Sequence, residues 1–114
     1  MVEKIIYIAS PYRGEVELNT ERARRYCRFA VSEGCMPIAP HLLYPQFMDD
    51  DNREERKKGL SFAVMLLDKC DELWVMGENI SDGMLAEMEH AKDSGIPIRY
   101  FNAKCEEVSN KCES

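Results

Sequence analysis

The sequence is poor in the residues from which most metal and redox centres are built. Its 114 residues include two histidines, His41 and His90, far apart, and five cysteines with no C-x-x-C pair. A zinc cluster needs ligands at short spacing, so no metal is expected. Cys27, Cys35, Cys70, Cys105 and Cys112 are an odd number in a chain long enough to bury a core without staples. They read as free thiols in a reducing cytoplasm rather than as a disulfide framework. There is no G-x-G-x-x-G and no G-K-[ST], so the dinucleotide fingerprint and the triphosphate loop are both missing, and no cofactor is expected. No apolar run approaches the ~20 residues of a membrane span. The run "IIYIA" is too short for a signal-peptide core and has no cleavage site after it. Cations are scarce too: 15 Lys and Arg against 21 Asp and Glu leave a net charge of −6. A nucleic-acid backbone demands clustered basic residues, so polymeric nucleic acid is not the expected partner.

What is present is an alternation. "KIIYIAS" is a β-branched and aromatic run that ends in the loop chemistry of "SPYRG". Ala23, Tyr26, Cys27, Ala30 and Val31 then fall on one helical face, with Asn19 or Thr20 as cap and Gly34 as stop. "CMPIAP" is a short strand, and "HLLYPQFMDDD" reads as a long irregular connection. Asn52 opens a charged stretch leading to a helix with Leu60, Ala63, Val64 and Leu67 on one face. "DELWVMG" is the third strand, "SDGMLAEMEHAKDSG" the third helix with Met84, Leu85, Met88 and Ala91 inward, and "IPIRYF" the fourth strand. Residues 1–102 form a single expected domain without repeats, and the polar tail 103–114 is expected to fray or to pack as a short helix. Strands alternating with helices predict an α/β fold, a small three-layer Rossmann-like or flavodoxin-like sandwich. Its parallel sheet would have four to five strands. Ligands of such folds bind beyond the carboxyl ends of the strands, where three loops of this chain converge.

Each loop reads two ways. Ser10, Tyr12, Arg13 and Gly14 suit a phosphate or carboxylate, or form a solvated turn. His41, Tyr44 and Phe47 offer an aromatic wall for a planar base, or cover the edge of the core. "DDDNREER" reads as a self-paired surface, with Arg53 and Arg56 as further anion candidates. In the third loop Ser81 or Asp82 caps a helix and Gly83 permits close backbone approach. Glu87 lies one turn inside, where amide dipoles favour a carboxylate. It serves either as a capping or i,i+4 partner or as a nucleophile at an anomeric carbon.

"IYIASPY", "PIAPHLLY", "CDELWVMG" and "SDGMLAEMEHA", in this order, resemble the nucleoside 2-deoxyribosyltransferase-like superfamily over about residues 4 to 101, above all a short phage and bacterial branch of it. Deoxyribosyltransferases carry Asp-x-Gly-Thr-x-x-Glu where this chain has Ser81-x-Gly83-x-x-x-Glu87, and the related deoxynucleoside-monophosphate N-hydrolases carry the serine. The resemblance implies that Glu87 is the nucleophile and that Ser81 with Arg13 holds a 5′-phosphate. It also implies that Tyr7 and Ser10 line the sugar site and that Asp71 matches the family's acidic strand start. The family's aspartate roughly two turns before that position is missing, since the stretch reads "SFAVML". His41, the side chain near the crevice that titrates closest to neutrality, is the candidate acid. The expected function is cleavage or transfer at the N-glycosidic bond of a (deoxy)nucleoside or its 5′-monophosphate. The alternative is a sensor or sequestering protein that binds a nucleotide without cleaving it. A homo-oligomer is expected, because relatives complete their crevice with residues of a neighbour.

Overall fold

Ile6 to Ala9 are all buried, as are Glu72 to Met76, which is what the central strands of a sheet covered on both faces require. A computed structural model describes residues 3–108. The chain runs β1 (Ile5–Ala9), α1 (Val16–Ser32), β2 (Met36–Ile38), α2 (Pro40–Leu43), a 3₁₀ turn (Tyr44–Gln46) and α3 (Arg53–Asp68). It continues through β3 (Glu72–Met76), α4 (Asp82–Ser94), β4 (Ile98–Phe101) and β5 (Glu107–Val108). The sheet order is β2-β1-β3-β4-β5, with the first four strands parallel and β5 antiparallel to β4. That is the flavodoxin-like winding, and it places the reversal of strand order between β1 and β3.

Side chains alternate across the sheet and sort the core into two layers. Ile6, Ile8, Trp74 and Met76 pack with Tyr26 and Ala30 of α1. Tyr7, Ala9, Leu73 and Val75 pack on the other face with Leu67 of α3 and with Met84, Met88 and Ala91 of α4. The one carboxylate in the central strands is satisfied. Glu72 accepts from Lys4 Nζ and from Trp74 Nε1, both at 2.8 Å.

Several expectations are corrected. The first helix begins at Val16 with no side-chain cap, and Asn19 lies inside it. The Asn19 amide instead donates to the carbonyls of Tyr12 (3.1 Å) and Arg13 (3.2 Å), fixing the β1–α1 loop. Val31 and Leu85 are about half exposed, because each helix meets the sheet along a stripe narrower than its apolar sequence face. The segment after β2 is not irregular but forms α2 and the 3₁₀ turn. The tail contributes β5, which docks through the Arg99 guanidinium donating to both oxygens of Glu107 at 2.9 and 2.8 Å. The four described cysteines are free, and Cys112 lies outside the described residues.

Candidate active site

The parallel strands aim their carboxyl ends at the loops after β1, β2 and β3, and a cavity of about 200 Å³ opens there on the α3–α4 side of the sheet. Tyr12 from the first loop, His41 and Tyr44 after β2, and Gly83 and Glu87 of α4 all line it. Tyr12 and His41 stack with ring centroids 5.0 Å apart and planes 15° from parallel. Tyr44 is braced against Phe47 and Phe62. The opposite wall is α3, presenting Leu60, Ala63 and Val64. Leu60 is therefore not a core residue, and about half of it remains exposed.

Glu87 is the partly buried carboxyl of this cavity. The Tyr7 hydroxyl, from the middle of β1, donates to its Oε2. Burial pushes the Glu87 carboxyl up to about 7, against the opposing pull of the Tyr7 hydrogen bond. The expectation that amide dipoles would keep it ionised is corrected. Ser81 is the cap of α4, so Glu87 lies past the first turn, beyond which the dipole's influence falls away. Tyr7 is held well above its ordinary value by burial first and by the Glu87 charge second, so it is a hydrogen-bond donor at any physiological pH.

Burial also lowers His41, with Asp50 only partly opposing it. Its imidazole is therefore neutral at pH 7, which makes it a poor acid and a good stacking surface. The Ser81 hydroxyl accepts from Met84 N at 3.2 Å and so is committed to the helix cap. Asp82 is the exposed first residue of α4. Gly83 faces the cavity, where a Cβ would meet only Ser81 Oγ at 3.9 Å.

Other candidates are not brought to this cavity. Arg13 does not line it, and pairs with Asp50 (3.2 Å), which does, and with Asp51 (3.7 Å). Ser10, 3% exposed, turns toward α1. Asp71 sits at the opposite, amino-terminal edge of the sheet. Its carboxylate accepts from Ile5 N at 2.8 Å and its own N–H donates to Ile5 O at 2.7 Å, so it ties β3 to β1 rather than reaching a ligand. Asp68 is held by His90 Nε2 at 2.6 Å, also away from the cavity.

The sequence reading missed the acidic rim. Asp49, Asp50 and Glu55 line the cavity beside the anion candidate Arg56, although "DDDNREER" reads as a self-paired surface. The signal was the helix cap. Asn52 Oδ1 accepts from Glu54 N (3.0 Å) and Glu55 N (3.1 Å), which starts α3 at Arg53. That start puts Glu55, Arg56, Gly59, Leu60 and Ala63 on one side of the helix. Arg56 makes no ion pair among the described residues, whereas Arg13 does. Among the described residues no three His, Cys, Asp or Glu side chains converge as metal ligands would.

Residues 4–101 match the model of a domain of unknown function, DUF7768. No curated protein matches the chain. Among solved structures, a 2-deoxyribosyltransferase from the psychrotolerant bacterium Bacillus psychrosaccharolyticus superposes with a TM-score of 0.70 at 20% identity, over 93% of this chain and 77% of that one. A 2-deoxyribosyltransferase from Leishmania mexicana superposes with a TM-score of 0.59 at 17% identity, over 87% and 64%. The chain has a nucleoside 2-deoxyribosyltransferase-like fold.

Proposed function

The chain belongs to the DUF7768 family, and we propose that its cavity cleaves or transfers the N-glycosidic bond of a deoxynucleoside or its 5′-monophosphate, with Glu87 as nucleophile. The observation that carries this reading is the partly buried Glu87 carboxyl, held at Oε2 by the Tyr7 hydroxyl beneath an aromatic wall. Oε1 has no partner among the described residues. Ionised, it attacks C1′ of the sugar. The C1′–N bond breaks, its electron pair leaves with the base, and the base takes up a proton. Water, or a second base, then displaces the carboxylate ester and restores Glu87. The Tyr12–His41 stack offers a face for the base, and α3 supplies an apolar wall that excludes water. Arg56, unpaired at the rim, takes a 5′-phosphate in place of the already paired Arg13 and the helix-capping Ser81.

At about 200 Å³ the cavity is below the ~300–1,000 Å³ of typical ligand sites. A second copy would enlarge it. Phe47 and Met65 are 66% and 61% exposed, an apolar surface that an oligomer would cover. The four free described thiols fit work in a reducing cytoplasm.

A second reading is favoured by one observation. Ala63 and Val64 fill the α3 wall where the related enzymes carry an aspartate, and the α3 carboxylate that does line the cavity, Glu55, is engaged by Asp49 N at 2.9 Å. On that reading the cavity holds a nucleotide as a sensor or sequestering site. Chromatography of a nucleoside and nucleotide panel, with and without an acceptor base, separates the two. Multiple-turnover release of free base that disappears in Glu87→Gln supports catalysis, whereas saturable binding with no base released supports the sensor.

A further inference from the structure

The β1/β3 switch point has a second side. Side chains alternate along β1, so Ile6 and Ile8 face α1, and Ser10, next in that register, faces α1 as well. There a separate cavity of about 130 Å³ is lined by Ser10, Asn19, Arg22, Tyr26, Gly77 and Glu78. Of these six residues, none lines the Glu87 cavity.

Two of its hydroxyls are buried without partners. Ser10 is 3% exposed and Tyr26 2% exposed, and neither side chain makes a hydrogen bond among the described residues. Buried hydroxyls in native proteins are almost always satisfied, so an unoccupied pair facing one cavity calls for a ligand or ordered water. The cavity has room for several water molecules or one tetrahedral ion. The Tyr26 oxygen points at the turn after β3, where a Cβ built on Gly77 would come within 3.3 Å of it. Gly77 has φ +88°, which lets the backbone approach there without a side chain.

The local charge decides between water and an anion. The protein carries −6, yet α1 bears Arg22, Arg24, Arg25 and Arg28 against Glu17 and Glu21. Among the described residues none of those four arginines forms an ion pair. Burial raises the Tyr26 phenol overall and keeps it a neutral hydroxyl, while Arg22 and Arg25 pull the other way, as cations close to it do. Among the lining residues Glu78 is the one carboxylate. It is exposed, and its Oε1 is directed to Ala103 N at 3.5 Å.

We propose that this cavity is a second binding site, for a small oxyanion with phosphate as its simplest form, held by Arg22 and by the Ser10 and Tyr26 hydroxyls. It is independent of any sugar chemistry in the Glu87 cavity. The test is a titration of the whole protein with inorganic phosphate at constant ionic strength, followed through the backbone amide resonances of Ser10, Arg22 and Gly77. Acetate is the second probe. Saturable shifts at these amides are expected, with affinity about tenfold weaker in Arg22→Ala and in Tyr26→Phe, and unchanged in Arg56→Ala. Tyr26→Phe keeps the packed ring and removes an unpartnered hydroxyl, so its melting temperature in chloride is expected to equal or exceed that of the wild type. A response to phosphate alone assigns a tetrahedral ion, and a response to both probes assigns small oxyanions in general. The proposal is overturned if these amides do not respond, if the response survives both α1 variants, or if it vanishes in Arg56→Ala.

Discussion

Replacing Glu87 with glutamine exposes the conflict between stability and function at this site. In the folded chain burial holds the carboxyl at about 7 against an ordinary 4.5. At roughly 1.4 kcal/mol per pH unit, that difference amounts to about 3 kcal/mol. The sign follows from proton binding: the folded state holds the Glu87 proton more tightly than the unfolded state, so this group disfavours folding increasingly as pH rises. Below the unfolded value the carboxyl is neutral in both states and the effect is nil. It develops between pH 4.5 and 7 and is complete above that window. Glu87→Gln keeps an oxygen to accept from Tyr7 but never ionises. Relative to the wild type it is expected to be equally stable at pH 4.5 and more stable at pH 8 by up to about 3 kcal/mol, or about 10 °C in melting temperature for a chain of this size. The assay is a set of thermal and urea melts of both proteins from pH 4.5 to 8, with other titrating groups cancelling in the difference. If that difference is flat with pH, or the wild type is the more stable at pH 8, the burial argument fails. In the same variant release of free base is expected to be lost.

Turnover that needs an ionised Glu87 rises with pH through about 7, so a pH–rate profile flat from 5 to 8 would contradict the assigned nucleophile. Tyr7→Phe removes the bond that lowers Glu87. Its turnover is expected to fall about ten- to hundredfold and its rising limb to move to higher pH, which the same kinetics read out. Asp71→Ala leaves the Ile5 N–H without its side-chain acceptor. A loss of about 1–3 kcal/mol in urea unfolding with kcat unchanged is expected, and a selective loss of kcat would return Asp71 to the active site. Arg56→Ala is expected to raise KM for a nucleoside monophosphate while leaving that for the unphosphorylated nucleoside alone. Steady-state comparison of the two substrates checks this.

The alternation of "KIIYIAS", "CMPIAP", "DELWVMG" and "IPIRYF" with apolar-faced helices was enough to determine a parallel α/β sandwich, because period-2 and period-3.6 patterns are local properties of the chain. Local chemistry also set the α4 cap at Ser81 and its stop at Gly95, which adopts φ 75°. Whether an apolar residue on a helix meets the sheet is another matter. Val31, Leu60 and Leu85 fit their helical faces as well as Ala30, Leu67 and Met84 do, and only the packing geometry separates them. The site divided in the same way. Sequence brought Glu87, Tyr12, His41 and Tyr44 to one crevice, since loops after parallel strands share an end of the sheet. Only the tertiary structure decided that Tyr7 reaches Glu87 from beneath, 80 residues away in the chain, and that burial rather than the helix dipole governs that carboxyl. It also decided that Asp71 lies at the wrong end of its strand and that Ser10 faces a different cavity. Desolvation and the face a side chain takes depend on what the rest of the chain packs against it, which no local pattern contains.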